Sequence, residues 1–158
     1  MILDDHRRME ELLHRMRSVE SDRADALTRF SALLVAHGEA EELEVYPALR
    51  RLRNVDAEEV DHGAEEHEEG NEALLALLEV EEVGSEDWEK RLHELSEKIA
   101  HHFDEEERTI LNDARENVSE ERRGELGERF LRARRELLMA DCGAVEKVRD
   151  LVRVRSGF

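Results

Sequence analysis

Residues 27–47 read LTRFSALLVAHGEAEELEVYP, and residues 92–112, 65 positions further on, read LHELSEKIAHHFDEEERTILN. At that offset Leu27 falls on Leu92, Phe30 on Leu95, Leu34 on Ile99, His37 on His102, Glu41 on Glu106, Glu42 on Glu107 and Val45 on Ile110. Steps of three and four residues trace one inward-facing stripe of an α-helix, so each copy predicts an amphipathic helix. In both copies a His and a Glu stand on the stripe where Leu would be expected. A buried carboxylate is costly unless it is paired, so these positions ask for a partner inside the core.

Working outward, a fainter match relates two further segments: His6 aligns with His67, Leu13 with Leu74 and Met16 with Leu77. The first carries the stripe Ile2, His6, Met9, Leu13, Met16, and the second Val60, Gly63, His67, Gly70, Leu74, Leu77, Glu81. Two glycines on one helical stripe are unusual, since each costs about 1 kcal/mol relative to Ala, and they suggest that something needs the room. Breaks and caps predict helices from Asp4 or Asp5 to about 19, over about 22–46 with Pro47 as the stop, over about 57–83, and from a Ser85 cap to about 113. A fifth helix capped by Ser119 turns Leu126, Phe130, Ala133 and Leu137 inward, and a short sixth beyond Gly143 carries Val145, Val148 and Val152. The expected fold is therefore all-α: an up-down-up-down four-helix bundle over residues 1–117, with one or two additional C-terminal helices over 118–158 packed on the bundle or on a second subunit.

Composition narrows the partners. At 158 residues, one domain is expected, with about two thirds of the unfolded surface buried. Acidic residues outnumber basic ones 42 to 24, giving a net charge of -18, which argues against nucleic acid as a partner because phosphate binding requires a basic surface. No stretch approaches the ~18 apolar residues of a membrane span, the first residues MILDDHRRMEE lack the apolar run of a signal peptide, and the single Cys142 excludes an internal disulfide. A cytoplasmic protein, monomer or homodimer, is expected.

Spacing alone does not define a site. Six of the eight His residues have a Glu four places on, because Glu is abundant. Register is the stronger signal: His6, His37, His67 and His102 fall on the apolar stripes, while His14, His62, His93 and His101 fall beside them. His37 with Glu41, and His102 with Glu106, lie one helical turn apart, so each pair presents two donors to one point. Imidazole and carboxylate donors suit iron or manganese, and carboxylates on facing helices can bridge two metals. The candidate metal ligands are His6, His37, Glu41, His67, His102 and Glu106. The Glu-x-x-His spacing of ferritin-like carboxylate sites also occurs, at Glu11 with His14 and Glu59 with His62, but off the stripes.

The ordered set Asp5-His6-Arg7, His37-x-x-x-Glu41-Glu42 ending in Tyr46-Pro47, Glu66-His67 and His102-x-x-x-Glu106-Glu107 resembles the hemerythrin-like, or HHE cation-binding, domain family over roughly residues 3–115. The resemblance implies a four-helix bundle around a non-haem di-iron centre, two oxo- or hydroxo-bridged irons with the four His as terminal ligands and Glu41 and Glu106 as bridges. It also implies a small ligand: dioxygen, hydrogen peroxide or nitric oxide. One departure bears on function. Hemerythrin proper has a fifth His four residues before the position of His67, and that position here is Gly63. Simple reversible oxygen transport is thereby disfavoured, and redox chemistry such as peroxide disproportionation is favoured; an iron- or oxygen-responsive sensor, or an iron-handling module without catalysis, is the alternative. Three further residues are candidates for a supporting group or extra ligand: Glu10, one turn from His6; His62, next to the vacant position; and Tyr46, which a regular helix would place about 140° around from Glu41.

Overall fold

The computed structural model describes residues 1–155 and 157, and every regular element among them is helical. The helices are α1 (Ile2–Arg17), α2 (Arg23–Ala40), a π-helical turn (Glu41–Val45), α3 (Tyr46–Arg50), α4 (Ala57–Leu78), α5 (Glu86–Arg108), α6 (Ile110–Asn117), α7 (Glu120–Met139) and α8 (Val145–Arg155). Their starts follow the polar residues read from the sequence: Asp22 accepts from the Asp25 amide at 3.0 Å, Asp56 from Glu58 at 2.9 Å, Ser85 from Trp88 at 3.2 Å and Ser119 from Arg122 at 3.2 Å. Each satisfies a backbone donor that the first helical turn leaves free. α1 begins earlier than Asp4, with the terminal ammonium set on the Asp4 carboxylate at 2.6 Å. α4 ends at Leu78, short of the expected 83, and the chain turns through Gly84, whose φ of 85° suits only glycine well.

Two backbone departures fall at equivalent points of the repeated stretches. Pro47 does not end the second helix; it sits in the first turn of α3, where its missing N–H is harmless. The irregularity lies just upstream, where the chain widens into the π turn and the Tyr46 N–H bonds back to the Glu41 carbonyl. In the second copy the helix breaks at Thr109 (φ −105°, ψ −83°), the position equivalent to Glu44, and resumes as α6.

Helix α1 packs along α2 and α4 along α5, while α1 also meets α5 and α2 meets α4. α7 lies against α2 and the π turn, and α8 lies against α4. The turn between α7 and α8 is seated on α2: Ser31 donates to the Gly143 carbonyl at 2.7 Å, and a Cβ at position 143 would stand 2.4 Å from the Ala32 nitrogen. The apolar core is divided in two. One cluster includes Met9, Phe30, Leu34, Leu74, Leu77, Trp88, Leu95 and Ile99; the other includes Val45, Tyr46, Val60, Ile110, Leu126 and Phe130. Along α2, α4 and α5 the chain passes from one cluster to the other through His37 and Glu41, His67, and His102 and Glu106, so a polar layer lies between two apolar ones.

Candidate metal centre

That layer consists of His6 from α1, His37 from α2, Glu41 opening the π turn, His67 from α4, and His102 and Glu106 from α5. All six are buried, Glu41 completely. The four histidines beside the stripes, His14, His62, His93 and His101, are all exposed. Glu41 Oε1 lies 2.7 Å from His37 Nε2 and 3.5 Å from His67 Nε2. Glu106 Oε1 lies 3.3 Å from His6 Nε2, and its Oε2 lies 3.6 Å from His102 Nε2. Each carboxylate thus stands between two histidines of different helices.

These contacts are close without having the alignment of hydrogen bonds. All four Nε2 atoms, both oxygens of Glu41 and Oε1 of Glu106 are buried without a hydrogen-bond partner among the described residues. Leaving so many polar atoms unpaired would cost about 1–3 kcal/mol each, more for the charged ones. Cations resolve that cost, since every unpaired atom is a donor of the kind metals take. The atoms fall into two groups whose members all lie within 4.8 Å of one another: Glu41, His67, His102 and Glu106, and His6, His37 and Glu106. The donor set fits a metal.

The outer nitrogens are all engaged. His37 Nδ1 lies 3.0 Å from Asp5, His67 Nδ1 3.0 Å from Glu42, His102 Nδ1 3.2 Å from Glu66 and His6 Nδ1 3.3 Å from Glu107. Because an ionised carboxylate only accepts, each Nδ1 carries a proton, and Nε2 is left as the inward position that a metal or a second proton can take. Each acid precedes or follows a member of the polar layer in sequence, yet serves the histidine of another helix: α1 supports α2, the π turn supports α4, α4 supports α5, and α5 supports α1. The supports close into a ring around the site.

Titration behaviour reflects this crowding. Burial alone would make His37 harder to protonate, but the Glu41 charge and the Asp5 hydrogen bond outweigh it and raise its pKa to about 9. His67 rises to about 10 against the same burial, through Glu41 and Glu42. Burial would raise Glu41, yet His37 and His67 hold it well below the ordinary carboxylate range. Asp5, Glu42 and Glu66 are likewise held down, despite burial, by their histidine partners, with Arg134 and Arg155 helping at Asp5 and Glu42. Without metal, protons occupy two of the inward positions.

Gly63 leaves no vacancy. A Cβ there would stand 2.9 Å from Ile110 Cδ1 and 3.0 Å from the Tyr46 hydroxyl, so Tyr46 fills the place beside the missing fifth histidine. Gly70 likewise faces Ile99, whose Cδ1 would be 3.3 Å from an added Cβ. The expected 140° separation of Tyr46 from Glu41 assumed a regular helix. The π turn's i→i+5 bond instead brings residue 46 back over residue 41, as such single turns often do at functional sites. The Tyr46 ring stacks on His67 (centroids 5.3 Å apart), and its hydroxyl donates to Glu106 Oε2. Burial, with Glu41 and Glu106 nearby, holds that hydroxyl protonated far above its usual range.

The other two candidates do not enter the layer. Glu10 is exposed and bonded to Arg7 at 2.8 Å, because it lies on the outward side of α1. α4 runs as regular helix through residue 62, so His62 stays exposed and comes no nearer than 4.0 Å to Glu66. Asp5, Glu42, Glu66 and Glu107 were legible as neighbours of the stripe residues but not as supports. Arg134 and Arg155, from beyond the repeated region, carried no sequence signal.

A buried ring of imidazoles and carboxylates inside a helical bundle defines a cation-binding domain. The family model for the hemerythrin HHE cation binding domain matches residues 1–114, and the chain belongs to that family. Comparison with curated proteins and with solved structures gave no match.

Proposed function

We propose that the protein is a non-haem di-iron protein, cytoplasmic, built as an up-down-up-down bundle over residues 1–117 with a C-terminal helical extension that begins at residue 118. On this reading it acts on dioxygen, hydrogen peroxide or nitric oxide, with peroxide disproportionation as its reaction. The observation that supports the reading is the placement of Glu41 between His37 and His67, and of Glu106 between His6 and His102, so that each carboxylate could serve two ions at once. An iron pair held by these residues would supply a two-electron couple, enough for one H2O2 to be reduced to two waters while a second is oxidised to O2.

The chain's own groups do the rest. His6 and His37 hold one side, His67 and His102 the other, each fixed in tautomer by its outer carboxylate. Tyr46 brings a protonated hydroxyl to Glu106 where hemerythrin proper has a histidine. It is a candidate supporting group or extra ligand that gives Glu106 a hydrogen bond from within the site, which favours reactivity over reversible carriage. Apolar clusters above and below exclude water and strengthen every electrostatic contact between them.

The test is metal analysis and an absorption spectrum on protein purified in air, followed by peroxide addition. Two irons per chain, oxo-bridge charge-transfer bands and loss of peroxide with oxygen evolution are expected. Zinc alone, or no metal, would defeat the di-iron reading. Iron without peroxide loss, and without spectral change under oxygen or nitric oxide, would favour the sensor or iron-handling reading.

A further inference from the structure

Three of the four supporting carboxylates are themselves held by an arginine. Arg7 reaches Glu107 at 2.6 Å from within the family-matched region. The other two arginines come from the C-terminal helices. Arg134 of α7 grips the buried Asp5 with both prongs of its guanidinium, Nε to Oδ2 at 2.7 Å and a terminal nitrogen to Oδ1 at 2.8 Å. Arg155 at the end of α8 reaches Glu42 at 2.7 Å and Glu39 at 2.9 Å. Glu66 differs, with the exposed His101 at 3.4 Å and His62 at 4.0 Å instead.

Asp5 accepts from His37 and Arg134 through the same oxygen, so the geometry forms one line: Arg134, Asp5 Oδ2, His37 Nδ1, and His37 Nε2 beside Glu41. Phe130, one turn before Arg134, sets its ring edge-on to His37 (centroids 5.5 Å apart, 83°) and is itself buried. α7 therefore touches His37 twice, once through packing and once through Asp5. A paired fork of this kind fixes the orientation of the carboxylate as well as its charge.

We infer that Arg134, and with it Arg155, is a positioning residue of the metal centre: the helices beyond the matched domain set the orientation and donor strength of His37 and His67 through Asp5 and Glu42. This rests on the di-iron reading above. Without the guanidinium, Asp5 turns its full basicity on the His37 N–H and a nearby positive charge is lost. Both changes favour the ferric over the ferrous state.

The experiment compares the iron-loaded, full-length wild type with Arg134→Gln, Arg134→Lys and, as a control, Arg149→Gln. Arg149 lies on α8 but, among the described residues, pairs only with the exposed Glu79, at 3.2 Å. Three quantities are read: iron lost to a chelator, the midpoint potential of the bound iron, and the melting temperature of the metal-free protein. Arg134→Gln is expected to weaken iron retention about 10- to 100-fold, as removal of an outer support usually does, and to lower the potential. Arg134→Lys, which keeps the charge but not the fork, should recover the potential more than the retention, and Arg149→Gln should match wild type. If Arg134→Gln fails to fold, Arg134→Lys carries the test through the same split. Wild type that holds iron alongside Arg134 variants that match it in retention and potential overturns this inference alone; wild type that takes up no iron overturns the di-iron reading and this inference with it.

Discussion

Metal uptake should be a proton-release reaction. In the metal-free protein His37 and His67 have pKa values raised to about 9 and about 10 from an ordinary 6.5. At pH 7.5 more than about nine tenths of each is charged. A metal must take the Nε2 lone pair, so filling the centre releases about two protons per chain from these residues, one at each metal position, and the apparent affinity of each position rises about tenfold per pH unit from pH 7 towards 9. The same shifts fix the stability of the metal-free fold. Groups whose pKa rises on folding stabilise fully below their unfolded value, here 6.5, and that contribution is lost as pH climbs through 9 and 10. The melting-temperature gap between loaded and metal-free protein should therefore widen from pH 7 to pH 10. Calorimetric titration of anaerobic protein with ferrous iron, in buffers of different ionisation enthalpy, measures the protons directly; running Tyr46→Phe in parallel removes any proton from the phenol. Release of less than one proton at pH 7.5, or equal affinity at pH 7 and 9, would refute the reasoning.

Three further outcomes are expected. Gly63→Ala gains about 1 kcal/mol in helix propensity but forces Ile110 and Tyr46 aside, a strain of about 1–3 kcal/mol; chemical denaturation should show a net loss of up to about 2 kcal/mol, and the absorption of the loaded centre should shift as Tyr46 moves. His102→Ala or Glu106→Ala should lose metal and stability together, because binding energy is folding energy at such a site, whereas His14→Ala and His93→Ala, both exposed, should change neither in metal analysis or thermal melting. Gly143→Ala has no space beside the α2 backbone and should cost about 1–3 kcal/mol; unchanged stability would show that the C-terminal turn is not seated on α2 as described.

The helical class and the inward residues were legible in the sequence because helical periodicity ties burial to register. That register separated His102 from His101 and Glu106 from Glu105: His102 and Glu106 are buried, while His101 is exposed and Glu105 only partly covered. Three things were not legible. The π turn is a shift of backbone hydrogen bonding that no side-chain pattern announces; it turned Tyr46 from a packing residue into the group that fills the space beside Gly63. The ring of supports pairs Asp5 with His37, Glu42 with His67, Glu66 with His102 and Glu107 with His6, distances along the chain of 25 to 101 residues, and only the packing of the helices decides which neighbour each acid meets. Arg134 lies 129 residues from Asp5, on a helix whose own pattern shows only an apolar face. Periodicity along one helix fixes what that helix buries. What the buried group touches depends on the relative placement of helices, which is set by the whole core at once.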